Sequence, residues 1–266
     1  MIQLKDIELF LFDMDGTIYH ENTLIPGTTE FFNKLNSTGQ QYAFMSNNSS
    51  KGSDAYIKKL DSLGLVVTEK QIISSVTVSI AYLKNQYSSD AKIYLVGTES
   101  LKKQLIESGF NIVSDDYRGA DVTVCMLGYD TELTYSKLSG ACFHISNGAD
   151  YIATNCDLRC PVKDNRFIPD CGAIAKMIEC ATGKLPHFLG KPEPEIVYSA
   201  SKIFGVAVDR IMCVGDRLYT DIAVGINAGA QSALVLTGEA QLEDVKTSSF
   251  KPTYIFKSIK EMAEAI

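Results

Sequence analysis

Short apolar runs alternate with amphipathic stretches along nearly the whole chain. The run Ile7-Glu8-Leu9-Phe10-Leu11-Phe12 is too continuous for a strand with one wet face. It predicts a central parallel strand covered on both sides. Tyr42–Met45, Ile211–Val214, Ala233–Leu236 and Tyr254–Phe256 predict further strands. Between them the apolar period becomes helical. Tyr56, Ile57, Leu60 and Leu63 share one face, with Ser53 as a cap and Gly64 as a stop. Pro194 suits a first helical turn ahead of Ile196, Val197, Ala200 and Ile203, closed by Gly205. The middle of the chain has its own alternation. Ile93–Val96, Val122–Leu127 and Tyr151–Thr154 predict strands, and Thr98 to Ser108 predicts a helix ended by Gly109. Such alternation is the signature of an α/β protein with a parallel sheet.

Composition narrows the picture. The 266 residues suggest one large or two modest domains, at roughly 100–200 residues each. Hydrophobic residues make up 45% and charged residues 21%, which is ordinary for a folded chain with a real core. The formal charge of −7 argues against a nucleic-acid backbone as the main ligand. It leaves room for a small phosphorylated ligand, which needs only local positive charge. The first residues carry Asp6 and Glu8 inside the apolar run, unlike a secretion signal. No apolar stretch nears the ~20 residues needed to span a bilayer. Seven scattered cysteines fit a reducing, cytoplasmic setting. Cys156 and Cys160 lack the further ligands that structural zinc wants, and His20, His144 and His187 lie far apart.

Four polar strings stand where predicted strands end, which is where open α/β sheets bind ligands. Asp13-Met14-Asp15-Gly16-Thr17 follows the first strand. Residues two apart in extended chain point the same way, so Asp13 and Asp15 can face one ligand, and Gly16 permits a sharp turn. Ser46-Asn47-Asn48-Ser49 follows the second, with a hydroxyl and turn amides suited to a phosphate oxygen. Gly190-Lys191-Pro192-Glu193-Pro194 fixes one ammonium ahead of a helix. Gly215-Asp216-Arg217-Leu218-Tyr219-Thr220-Asp221 supplies two more carboxylates, of which Asp221 also fits a helix start. Taken singly, each string is also ordinary turn or cap chemistry. Together they gather up to four carboxylates and one ammonium at one sheet edge. Two carboxylates ~4 Å apart repel by about 4 kcal/mol at an effective dielectric of ~20. A hard divalent cation with oxygen ligands, such as Mg²⁺, relieves that repulsion.

These four strings, in this order, resemble the motifs of the haloacid dehalogenase-like (HAD) hydrolase superfamily over nearly the full length. The chain is most similar to its NagD-like phosphatases, which carry a large α/β cap between the second and third motifs. Thr154-Asn155-Cys156-Asp157, Pro169-Asp170-Cys171-Gly172-Ala173 and Ala181-Thr182-Gly183-Lys184-Leu185-Pro186 carry that closer resemblance. It implies a Rossmann-like three-layer core from residues 1–77 and 184–266, with a cap domain over 78–183. It implies a Mg²⁺-dependent phosphatase that forms an aspartyl-phosphate and acts on sugar phosphates, nucleoside monophosphates or 4-nitrophenyl phosphate-type esters. Carried over residue by residue, the resemblance assigns Asp13 to attack on phosphorus and Asp15 to proton transfer. It assigns Ser46, the turn at Asn47 and Asn48, and Lys191 to the phosphate. Asp13, the Asp15 carbonyl and Asp216 are assigned to the metal. Asp221 is assigned to a supporting contact with Lys191, or with water around the metal, rather than to the metal itself. Asn155 and Asp157 are offered to the substrate, and cap-to-cap homodimers are implied.

Cys156 stands where the subfamily's loop commonly has Pro, and Tyr219 where an acidic or polar residue is common. Both departures weaken any transfer of substrate preference. Arg159, Lys163 and Arg166 either meet an anionic part of the substrate or are solvated. Two alternative functions keep the same fold: a phosphomutase and a non-catalytic phosphate-binding regulator. A dehalogenase needs neither Asp15 nor Mg²⁺, and the presence of Asp15 and Thr17 speaks against it.

Overall fold

The computed structural model describes residues 3–162 and 166–266. In chain order its strands are β1 (Leu9–Phe12), β2 (Tyr19–His20), β3 (Thr23–Leu24), β4 (Gln41–Ser46), β5 (Ile72–Ser74), β6 (Lys92–Val96), β7 (Asn111–Ile112), β8 (Val124–Leu127), β9 (Asp150–Ala153), β10 (Arg159–Val162), β11 (Arg166–Pro169), β12 (His187–Phe188), β13 (Ile211–Gly215), β14 (Gln231–Val235) and β15 (Tyr254–Phe256). No described helix is long and apolar enough to cross a membrane.

The chain divides into two compact units. The first comprises 1–46, 53–74 and 191–266, and the second 47–52 and 75–190. The family resemblance implies a cap over 78–183. The second unit therefore starts earlier and ends later, and it also takes in the short segment that follows β4.

The first unit is built on a six-stranded sheet in the order β15-β14-β13-β1-β4-β5, with every neighbouring pair parallel. All four residues of β1 are fully buried, as its unbroken apolar run requires. The helix Thr28–Thr38 lays Phe31, Phe32 and Leu35 against the sheet. Phe12 meets Phe31 and Phe32 edge-on, with ring centroids 5.6 and 5.2 Å away. Burying one such ring stabilises by about 1.5–3 kcal/mol, and edge-to-face contact adds geometric preference. This aromatic core gives the carboxyl end of β1 a rigid mount.

The second unit holds a five-stranded parallel sheet in the order β12-β9-β8-β6-β7, plus the antiparallel hairpin β10–β11. Tyr94 of β6 is fully buried and gives its hydroxyl to the Asp115 carbonyl at 2.8 Å. The helix Cys171–Thr182 is capped by Asp170 and ends at Gly183 in the left-handed region.

Two local expectations need correction. Ser53 begins its helix as the first helical residue, and its hydroxyl goes to Glu69 at 3.2 Å rather than to the helix's own amides. Strand β1 begins at Leu9, because Ile7 closes a short 3-10 turn over Leu4–Asp6.

Candidate active site

In the first unit the strand order reverses between β1 and β13. The chain moves outward from β1 through β4 to β5, then returns to start β13 on the other side. Side chains leaving these two strands at their carboxyl ends face one crevice. Asp13 follows β1 and keeps the ladder through its N–H to the Val214 carbonyl at 2.8 Å. Asp216 follows β13. Chain direction alone thus brings together two carboxylates that are about 200 residues apart in sequence.

Lys191 joins them. Its Nζ donates to Asp13 Oδ1 at 2.6 Å and to Asp221 Oδ1 at 2.6 Å. The Lys191 side chain is only 4% exposed and that of Asp221 1%, whereas Asp13 keeps 19%. Asp221 returns to the site because Leu218–Ile222 forms a wide π-helical turn before the helix Ala223–Ala228. Such turns recur at functional sites because they re-aim one side chain. The second Asp221 oxygen accepts the Arg217 N–H at 3.1 Å. A side-chain carbon at Gly215 would lie 2.2 Å from the Asp221 Cβ, so only glycine fits there.

Asp216 is held from three sides. Its Oδ2 accepts the Glu239 N–H at 2.7 Å, and its Oδ1 lies 3.5 Å from the Thr17 hydroxyl. Gly16, at φ +83°, passes so close that an added Cβ would sit 2.8 Å from Asp216 Oδ2. Both its backbone angle and its lack of a side chain are required. The Thr237 hydroxyl fixes the Gly16 carbonyl at 2.7 Å.

One oxygen from each of Asp13, Asp216 and Asp221 lies within 4.8 Å of the others. Burial pushes the Asp13 carboxyl up to about 7; Lys191 opposes the shift, and Asp221 and Asp216 add to it. Burial, then the Asp221 charge, pushes Asp216 up to about 6. For Lys191, burial alone would favour the neutral amine, but Asp13 and Asp221 outweigh it and hold the ammonium above its usual range. The group carries more buried negative charge than one ammonium balances.

Asp15 has an exposed side chain, two residues beyond Asp13. Ser46 ends β4, which pairs with β1 through Phe12↔Phe44, so it leaves the sheet at the same edge as Asp13. Its hydroxyl lies 3.0 Å from that of Tyr56. Sequence reasoning missed Tyr56, which stands on the apolar face of its helix and reads as core. It also missed the hold of Glu239 on Asp216; an ordinary loop amide carries no sequence signal.

The remaining candidates lie in the second unit. Asn47 Nδ2 donates to Asp157 Oδ2 at 2.7 Å. Asn48 Oδ1 accepts the Ser50 N–H at 2.9 Å and the Ser50 hydroxyl at 2.7 Å, a local turn. Asn155, offered above to the substrate, is fully buried. Its amide donates to Asp157 at 2.9 Å and to Asp170 at 3.1 Å. These bonds frame the loop 155–170 from a buried position. Asp157 is half-buried and receives both amides. The Arg159 guanidinium lies over the Phe167 ring at 4.3 Å. Arg166 is exposed, and Lys163 lies outside the described residues.

Residues 10–111 match the family model described as haloacid dehalogenase-like hydrolase, and residues 188–262 match one described as HAD-hydrolase-like. An acid sugar phosphatase of Staphylococcus aureus is 35% identical over 258 residues, 97% of each chain. A crystal structure of 4-nitrophenylphosphatase from Thermotoga maritima superposes with a TM-score of 0.91 at 38% identity, covering 98% of each chain. NagD from Escherichia coli K-12 superposes with a TM-score of 0.87 at 29% identity, covering 96% of this chain and 98% of that one. The chain therefore belongs to the haloacid dehalogenase-like hydrolases, and within them to the NagD-like phosphatases.

Proposed function

We propose that this chain hydrolyses phosphate monoesters of small metabolites through an aspartyl-phosphate on Asp13. The observation that carries the reading is the buried group of Asp13, Lys191, Asp216 and Asp221. There an attacking carboxylate is already paired with the ammonium that would offset its repulsion from a phosphate. The raised Asp13 and Asp216 carboxyls fit a missing positive charge, and an all-oxygen donor set fits Mg²⁺. Asp13, Asp216 and the Asp15 carbonyl would hold the ion. When bound, it supplies positive charge to the phosphoryl oxygens and to Asp13.

In the first displacement an Asp13 oxygen bonds phosphorus while the ester P–O bond breaks. Asp15 gives its proton to the departing alcohol oxygen. In the second, Asp15 takes a proton from water, the water oxygen bonds phosphorus, and inorganic phosphate leaves with Asp13 restored. The exposure of the Asp15 side chain suits a group that trades protons with both substrate and water. Ser46 and the adjacent turn hold the phosphoryl oxygens, and Asp221 keeps Lys191 aimed. The second unit is the cap that sets substrate choice. The similarity to a protein named acid sugar phosphatase supports sugar phosphates as the substrate class. Seven cysteines, none of them in a disulfide among the described residues, support a cytoplasmic setting.

The test is turnover of 4-nitrophenyl phosphate and a sugar-phosphate panel by purified protein with Mg²⁺. Acid-quenched enzyme should carry labelled phosphate that hydroxylamine removes. Inert protein, or turnover without a phosphoenzyme, defeats the reading.

A further inference from the structure

The second unit's sheet also reverses its strand order, between β6 and β8, with β7 on one side and β9 and β12 on the other. The crevice beyond the carboxyl ends of such strands is where an open α/β sheet receives a ligand. Here the segment 47–52 occupies it. The Ser50 carbonyl accepts the hydroxyl of Thr98, just past β6, at 3.3 Å. The Ser49 hydroxyl oxygen accepts the N–H of Tyr129, just past β8, at 2.8 Å. It also shares a hydrogen bond of 2.8 Å with the hydroxyl of Thr154, just past β9. Three neighbouring strand ends thus grip two consecutive residues.

The grip is buried and fully bonded. Ser49, Thr154 and Asn155 are all fully buried. Each hydroxyl has one proton to give. The Thr154 hydroxyl can give its proton to Ser49 Oγ at 2.8 Å or to Asn155 Oδ1 at 2.9 Å. Asn155 then donates both amide protons, to Asp157 and Asp170. Asp157 closes the circuit by accepting from Asn47. Ser75 adds a bond to the Asn47 carbonyl at 2.8 Å. No Cβ fits at Gly128, which would place it 3.2 Å from Ser49 Oγ and 2.5 Å from a Leu101 methyl.

We propose that Ser49 and Thr154 are positioning residues for phosphoryl transfer. Clamping of 47–52 at these strand ends fixes the backbone of the Ser46–Asn47 turn, which precedes Ser49 in the chain. The inference rests on the reading of that turn as the phosphate-holding one. A loop of serine and asparagine has many accessible conformations. Small misplacement of an oxyanion donor is costly to the transition state.

The experiment compares Ser49→Ala, Thr154→Val and Thr154→Ser with wild type on 4-nitrophenyl phosphate with Mg²⁺, well below each melting temperature. Inhibition by orthovanadate, which mimics the transition state, is measured beside inhibition by inorganic phosphate. Ser49→Ala and Thr154→Val should each lower kcat about tenfold. They should weaken vanadate inhibition by a similar factor and phosphate inhibition less. Thr154→Ser keeps the hydroxyl and should restore kcat to within about twofold of wild type. Asp157→Asn, at a half-buried position, gives a second route if the buried variants do not fold, and should show the same pattern at smaller size. Variants with wild-type kcat and vanadate inhibition but a lowered melting temperature overturn the proposal. A wild-type protein inert on the ester panel overturns the reading of the turn, and this proposal with it.

Discussion

The two sheets of this chain share an architecture and differ in what fills the crevice at their point of strand reversal. In the first unit that place holds Asp13, Asp216, Lys191 and Asp221, with surplus negative charge under partial exposure. In the second it holds the chain's own residues 47–52, bonded throughout and closed to solvent at Ser49. One crevice is electrostatically incomplete and the other is satisfied. In the function proposed above, the incomplete crevice is the one that reacts and the satisfied one serves as its mount.

The largest test of this contrast is Asp13→Asn. Loss of the attacking oxygen should lower kcat by roughly 10⁴-fold or more, far beyond the roughly tenfold effects expected at Ser49 and Thr154. Single-turnover assays with phosphoenzyme trapping would check it. A comparable loss in both crevices would break the distinction.

Lys191→Met should lower kcat by roughly 10²–10³-fold. It also leaves Asp13 and Asp221 buried without a cation, so the melting temperature at pH 8 should fall as well. Activity and calorimetry together would show both effects.

Metal removal sharpens the contrast further. Asp13 and Asp216 bind protons more tightly folded, at about 7 and 6, than unfolded, near 3.8. Their contribution to stability is therefore greatest at low pH and fades as pH rises through 6 to 7. Without divalent cation, stability should fall across that window relative to Asp13→Asn. The gain in melting temperature on adding Mg²⁺ should be larger at pH 8 than at pH 5. A flat response in thermal melts would contradict the surplus-charge account.

The smallest effect is expected from Tyr56→Phe. It removes the hydroxyl 3.0 Å from Ser46 Oγ and should change kcat/KM by only a few-fold. Steady-state kinetics would measure it.

The charged crevice of the first unit was far more legible in the sequence than the filled crevice of the second. A buried parallel strand is an unbroken apolar run, so its end is visible, and Asp13, Ser46 and Asp216 each follow such a run. Lys191 stood out because Gly and Pro flank it. Segment 47–52 was legible only in part: Ser46-Asn47-Asn48-Ser49 stands at a strand end, but nothing in it marks Ser49 as held by the second sheet. Serine and asparagine are ordinary turn residues, and the bonds that place Ser49 reach 80 and 105 positions along the chain. The burial of Asn155 was hidden for the same reason. The helix Thr28–Thr38 was missed because Gly27, in the left-handed region, opens it in place of a usual cap.

The route of the chain between its two units bears on how this family can be recombined. The units exchange the chain at 46/47, 52/53, 74/75 and 190/191. An engineer who swaps residues 75–190 for the matching stretch of a relative makes two joints and leaves 47–52 from the old parent. That hexapeptide would then meet foreign strand ends, with Ser49 facing hydroxyls and amides it did not evolve beside. A graft that carries residues 47–52 with its new sheet needs four joints and keeps the circuit intact. The module that shuffles is discontinuous, and its smallest piece is six residues long.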